Sequence, residues 1–337
     1  MPAIGGFVDA HGIDAWFDRA AHVGIATSPQ QDGSMDHMPE LVTQLRGPAG
    51  RFERMSPEDV QAVCRSAVFR GGIRYGDSAM VHPGRLVRGM RRVALDRGIR
   101  LFEHTSVTRF REGPPAEAET PGGTVRAGHA VLAINAWSAQ WKRFRSTILP
   151  RASYIVLTAP APERLAEIGW TGGEGLFDFR TSLHYVRTTR DGRIAFGGVS
   201  SRAGLGTGLG PRQWYDERSV RRLAEDLWRW FPSFSDVPIE AAWGGPIDVS
   251  GHHIPFFGTL PGTSTHYGFG FTGGGVGPCH MGGRILAGLV LGLDDEYTNS
   301  PLVGYRPKRF PPEPLLSLGA AITQEAIVRA DDARDHG

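Results

Sequence analysis

The residues best suited to chemistry fall in three short stretches. The first is HYGFGFTGGGVGPCHMGGRILAGLVLG, from His266, in which Gly270, Thr272, Gly273, Gly274, Gly275, Val276 and Gly277 lead into a small, apolar helical pattern. Glycine admits positive φ and close approach of a ligand to the main chain. A helix N-terminus adds unpaired N–H groups and partial positive charge. The stretch can therefore hold an anion or a polarised carbonyl, or it can be a turn that lets a helix pack on a sheet. The second is LHYVRTT, where Tyr185 and Arg187 flank Val186 and so share one face of a strand. If that face lines a cavity, Arg187 suits a carboxylate and Tyr185 a wall; otherwise the face is structural or solvated. The third is SGHHIP, with His252 and His253. Histidine exchanges protons near neutral pH, although two ordinary turn residues would look the same.

The elements that must position these residues follow from pattern. DAWFDRA and AHVGIATSP read as short strands after a helical N-terminal segment ending near Gly12. A helix is expected over 36–46, and SPEDVQAVC offers Ser56 as N-cap with Pro57 at the first helical position. Leu86, Met90, Val93 and Ala94 recur at helical spacing from Pro83 to Gly98. IRLFEHTSVTRFREG and GGTVRAGHAVLAINAWS follow as strands, and the apolar run AVLAIN suggests one buried on both faces. TRDG marks a hairpin between alternating strands in a β-rich middle, interrupted by a helix near 216–230. Strand, glycines and helix return near the end, before a proline-rich tail, RPKRFPPEPL. This order describes one domain interrupted by another, with a ligand expected between them.

Composition narrows the function classes. The 337 residues suit one large domain or two ordinary ones, and 40% hydrophobic with 21% charged content is globular. A net charge of +2 argues against nucleic acid or an anionic membrane as partner. Cys64 and Cys279 make neither a disulfide framework nor a metal-ligand cluster, so no metal is expected. MPAIGGFVDAHG has no signal-peptide pattern, and no apolar run reaches the length of a membrane span. A cytoplasmic location is the expectation.

Four segments, taken in order, carry a family resemblance: HPGRLVRGMRRVALDRGIRLFEHTSVTRF, VLAINAWS, YVRTTRDGRIAFGG, and WGGPIDVSGHHIPFFG with GFGFTGGGVG. Together they resemble the FAD-dependent oxidoreductases of the D-amino-acid oxidase and glycine oxidase superfamily, in particular bacterial amine-oxidising members similar to gamma-glutamylputrescine oxidase. The resemblance implies a mixed α/β fold: an incomplete FAD-binding Rossmann-like domain (76–145 and 251–300) interleaved with a sheet-rich substrate domain (1–75 and 146–250), then a tail, 301–337. It places Val107 against the adenine of FAD, a residue that pattern alone would read as a core valine. Ala133, Asn135 and Ala136, with Trp137 beside them, fall where small residues let the dinucleotide pass. FTGGGVG falls at the pyrimidine edge of the flavin, where backbone N–H groups can stabilise the charge of the reduced ring.

The implied reaction is hydride removal from an amine-bearing carbon of an amine or amino acid to flavin N5, with oxygen or another acceptor taking the electrons. FAD is expected to be non-covalent, since neither cysteine lies on an attachment motif. Neither Lys142 nor Lys308 lies in a segment expected to reach the flavin, so an oxidase would use Arg or His to assist oxygen. Dehydrogenase chemistry is equally compatible. The strand–GxGxxG–helix unit that opens complete members is not found near Met1, and with it goes the expected pyrophosphate site. The chain is therefore expected to be a member lacking that unit, or a non-catalytic remnant or subunit that needs a partner chain to complete the FAD site.

Overall fold

A computed structural model of the chain describes residues 2–34, 36–46, 52–199 and 209–336. Eight strands, of which Ile148–Thr158 and His184–Thr188 alternate buried and half-exposed residues, build one large sheet. These are β1 (His22–Ile25), β2 (Phe52–Met55), β3 (Gly72–Tyr75), β8 (Ile148–Thr158), β9 (Gly175–Asp178), β10 (His184–Thr188), β11 (Ile194–Val199) and β12 (Ile239–Ser250). Their order is β12-β8-β11-β10-β9-β1-β3-β2. Neighbours are antiparallel except β1 and β9, which pair in parallel with His22 opposite Gly175 and join strands from the two halves of the chain. The TRDG turn closes β10 onto β11 as its sequence suggests, with Gly192 at φ 79° and its N–H donated to the Thr189 carbonyl.

One face of this sheet is covered by α6 (Glu217–Trp230), capped by Asp216. Val23, Ile25, Val156, Leu176, Val186 and Phe196 meet Leu223, Leu227 and Trp230 there in a buried core. Alternation along each strand then sends Tyr185 and Arg187 to the opposite face. A polar cluster sits inside the α6 side. His184 is buried, with Nδ1 2.7 Å from Asp178 and Nε2 3.2 Å from Asp226 of α6. Burial alone would lower its pKa, but the two carboxylates outweigh that and raise it to about 9. His184 is thus a charged tie between sheet and helix.

A second sheet has three strands in the order β13-β14-β7: β7 (Ala130–Leu132), β13 (Phe256–Thr259) and β14 (Thr265–Phe269). It packs with α7 (Val276–Leu291). A third, β4 (Arg109–Arg111), β5 (Ala116–Thr120) and β6 (Gly123–Ala127), is an exposed antiparallel meander. α4 (Pro83–Asp96) uses His82 as its N-cap, and Leu86 and Val93 pack on α1 (Pro2–Ala10) through Ile4 and Val8. The remaining helices are α2 (Met38–Arg46), α3 (Pro57–Val63), α5 (Pro162–Glu167) and α8 (Leu315–His336). Ser56 caps α3 as expected, in a full capping box with Asp59. Asp331 of α8 accepts N–H bonds from Thr181 (3.4 Å) and Ser182 (3.0 Å), tying that helix to the loop before β10.

Three expectations are corrected. DAWFDRA is not a strand; only Asp18 forms a bridge, to Met80. IRLFEHTS is not a strand either, because among the described residues no strand lies beside it, and Ile99, Leu101 and Phe102 stay exposed. AVLAIN is not buried on both faces: β7 is an edge strand of its sheet, and Val131 is exposed.

Candidate flavin and substrate site

β7 and β14 run parallel, with Thr265 opposite Ala130, His266 opposite Val131 and Tyr267 opposite Leu132. Their C-terminal ends therefore lie side by side, the usual place for a ligand crevice in a parallel sheet. After Leu132 come Ala133 and a 3-10 turn, Asn135–Gln140; after Phe269 come the glycines and α7. Two segments that the sequence separates by more than a hundred residues thus leave neighbouring strands side by side.

β12 holds both segments. Asn135, at φ 46°, donates from Nδ2 to the Pro246 carbonyl at 3.3 Å. Two residues along β12, Asp248 is buried and its Oδ2 accepts the Gly270 N–H at 2.6 Å. Its carbonyl takes the Thr272 N–H at 3.3 Å. Burial pushes the Asp248 carboxyl pKa up, while backbone N–H groups of Gly270, Asp248, Phe271 and Thr272 pull the other way. The sequence reading missed Asp248, although an acid within the otherwise apolar PIDV was a signal, since a buried charge is costly unless its bonds are supplied.

The glycine stretch divides into two parts. Gly270 (φ 82°), Thr272 (φ 53°) and Gly273 (φ 84°) form a left-handed turn, closed by the Gly274 N–H on the Phe271 carbonyl. α7 then starts at Val276 with Gly275 as N-cap, which has no side chain to cap it. The N–H groups of Val276 and Gly277 are first-turn donors without an intrahelical acceptor, and Pro278 has none to offer. A Cβ built on Gly275 would meet nothing within 4 Å.

Val107, Ala133, Asn135 and Trp137 line a single groove of about 960 Å³, with Val131 and Trp141. Ala136 is fully buried beneath it. On the eight-stranded sheet, Tyr185 lies across Gly197, where a Cβ would fall 2.3 Å from its ring. Its hydroxyl is 2.6 Å from Ser153 Oγ, and burial raises the phenol pKa against that bond. Arg187 donates to the Val81 carbonyl at 2.5 Å and the Thr188 carbonyl at 3.3 Å. Burial lowers its pKa, opposed by Asp18.

The histidines stand elsewhere. His253, at φ 58°, and His252 are exposed in the turn after β12, and His252 Nδ1 bonds the Tyr305 hydroxyl. Tyr185, Gly197, Ile155 and Trp243 stand in one cross-strand row. Ser250 lies about 23 Å further along β12 at 3.3 Å per residue. The structure therefore groups Tyr185 with Arg187 and groups Asn135 with the glycine loop, but brings neither histidine to Tyr185. Among the described residues no cluster of three or more His, Cys, Asp or Glu is placed to hold a metal ion.

Parallel strand ends, a glycine turn and an uncapped helix N-terminus, with a broad sheet alongside, are the parts of an α/β fold suited to a nucleotide cofactor. The family model DAO, FAD dependent oxidoreductase, matches residues 2–289, and the chain belongs to that family. It is 29% identical over 298 residues to a probable oxidoreductase OrdL of Rhizobium meliloti (strain 1021), covering 86% of this chain and 65% of the relative. It is 27% identical over 277 residues to the gamma-glutamylputrescine oxidoreductase of Escherichia coli (strain K12), covering 80% of this chain and 62% of the relative. The chain thus spans slightly less than two-thirds of these curated relatives. Glycine oxidase from Geobacillus kaustophilus has the same fold, with a TM-score of 0.76 at 20% identity over 91% of this chain and 80% of that one. No helix of the described residues is long and apolar enough to cross a membrane.

Proposed function

We propose that the chain carries the flavin-edge and substrate parts of an FAD-dependent oxidoreductase acting on an amine or amino acid, with FAD held non-covalently. The observation that supports this most is that β7 and β14 end side by side, with the glycine turn and the uncapped start of α7 following β14. The residues fit the cofactor: the first-turn N–H groups of α7 have no side-chain cap, the space beside Gly275 is open, and a long groove runs past Val107, Ala133, Asn135 and Trp137. Bound FAD supplies the hydride acceptor. The backbone N–H groups of Val276 and Gly277 would hold its electron-rich pyrimidine edge, and Ala136 keeps the groove floor small. We take 1–75 and 146–250 as the substrate side and 76–145 and 251–300 as the flavin side; the eight-stranded sheet, built wholly from the first set, supports this, and the packing of α1 on α4 cuts across it.

We assign substrate contact to Tyr185 and Arg187. The guanidinium rests on two backbone carbonyls and keeps its charge for a substrate carboxylate. The names of the relatives, a gamma-glutamylputrescine oxidoreductase and a glycine oxidase, support an amine-bearing substrate.

The flavin side also has an uncovered apolar edge: Ile99, Leu101, Phe102, Val107 and Val131 are all exposed. A strand–helix unit bearing a phosphate-binding turn, from the same polypeptide or a partner chain, would cover this edge and complete the site. Two experiments test the reading. FAD titration should show weak binding by the 337 residues alone and tight binding once such a unit is fused; a full complement of flavin in the chain alone would remove the need for it. The completed protein should then bleach its flavin with an amine or amino acid from a substrate panel. Arg187→Met should raise KM for amino acids by about 10- to 100-fold, the loss of one charge-assisted bond, and leave simple amines unaffected.

A further inference from the structure

We propose that Asp248 is a positioning residue: its carboxylate fixes the turn 270–273 and sets a negative charge behind the first turn of α7. The proposal rests on the flavin-edge reading for its consequence, but not for its geometry. Asp248 is 3% exposed, and its carboxylate accepts the Gly270 N–H at 2.6 Å. Its main chain takes Thr272, and Thr272 Oγ1 in turn accepts the Ser250 N–H at 3.4 Å. β12 and the turn are therefore laced at three points, within three residues of each segment.

The groups facing this carboxylate are N–H donors. An ionised acid, which only accepts, satisfies them all; an asparagine would set its own NH2 against some of them. Burial and the N–H groups of Gly270, Asp248, Phe271 and Thr272 govern its ionisation, and a titratable neighbour it acts on is Cys279, three residues into α7. The Cys279 thiol is pushed up by burial and then by Asp248. The carboxylate holds Gly270, and the turn that begins there leads directly into α7, so the charge sits behind the helix start. The protein donors at 270 and 272 are already used, and those at 276 and 277 are left for a ligand. A negative charge behind them tempers the electron affinity that the helix start provides.

Cys279 is a built-in reporter that needs no cofactor. The other thiol, Cys64, is fully buried with its pKa raised, and so stays silent in the folded chain. In the 337-residue chain, Asp248→Asn keeps one oxygen for Gly270 and removes the charge. Alkylation of Cys279 by iodoacetamide at pH 8 should then speed up by about threefold through a larger thiolate fraction, whereas Asp248→Glu should restore the slow rate. Cys279→Ser should abolish the signal in both backgrounds. A folded Asp248→Asn variant alkylated at the wild-type rate overturns the proposal. Should that variant not fold, wild-type hydrogen exchange decides: a slow Gly270 amide at pH 7 supports the bond, and an unprotected one refutes it. In the completed, FAD-loaded protein, Asp248→Asn should raise the rate of flavin reduction and leave substrate KM unchanged. The expected alkylation shift in a protein that takes up no FAD would leave Asp248 in place and defeat the flavin reading instead.

Discussion

At the scale of single residues, the three consecutive glycines are not equivalent. Gly273 sits at φ 84°, a region that costs an L-residue about 1–2 kcal/mol. Gly275 sits at φ −80°, ψ −49°, ordinary helical space, with nothing near a new methyl. Gly273→Ala should therefore lower stability by about 1–2 kcal/mol in urea unfolding. Gly275→Ala should leave stability unchanged or slightly raised, yet weaken FAD binding, because its methyl enters the open space at the helix start. Equal effects of the two on both measurements would mean that the loop is only a packing turn. Gly274 lacks positive φ, so proline there would act through its neighbour, forcing residue 273 out of the left-handed region and removing the N–H given to Phe271.

Among elements, the tie between β10 and α6 has a pH signature. The folded state holds a proton on His184 up to about pH 9, while the unfolded chain releases it near 6.5. This stabilisation, roughly 3 kcal/mol, is complete below about pH 6.5 and gone once the pH has risen through about 9. The melting temperature should fall across that window, and His184→Gln, neutral throughout, should flatten the fall. None of this was legible in the sequence, because Asp178, His184 and Asp226 meet only when β9 pairs with β10 and α6 lies across them. What the sequence did show was local. Ser56 with Pro57, the apolar stripe of α4 and the TRDG turn each carry their own signal within a few residues. Leu101 and Phe102 misled in the opposite sense: they are strand-forming residues with no neighbouring strand among those described. The glycine loop was readable because glycine marks unusual backbone, whereas Asp248 was hidden inside a motif read for its histidines. α8 was read as part of a tail because its residues show no clear apolar stripe behind the prolines at 311, 312 and 314.

For the molecule as a whole, the division into a closed sheet and an open one sets what surface is left. One face of the eight-stranded sheet is covered by α6, but the edge near Phe102, which is 67% exposed, is not. The chain should bind an apolar dye such as ANS, and Phe102→Ser should reduce the signal. Stability should change by no more than about 0.5 kcal/mol, since little is buried there. Fusing the strand–helix unit should quench dye binding and raise FAD affinity together. Loss of dye binding without any gain for FAD would show that the edge serves another contact.

The parallel seam between β1 and β9 also decides when the large sheet can form during synthesis. β1, β3 and β2 leave the ribosome first, but the strand that joins them to the rest ends only at Asp178. At about 5–20 residues per second, the hairpins of 22–75 wait roughly 5–20 s for the next hundred residues. During that interval β1 is a bare edge, with Val23 and Ile25 still exposed to any passing chain. Contacts of such long sequence separation also slow the closing step itself. A nascent-chain chaperone that shields 22–75 should therefore raise the yield of native protein more than one acting after release.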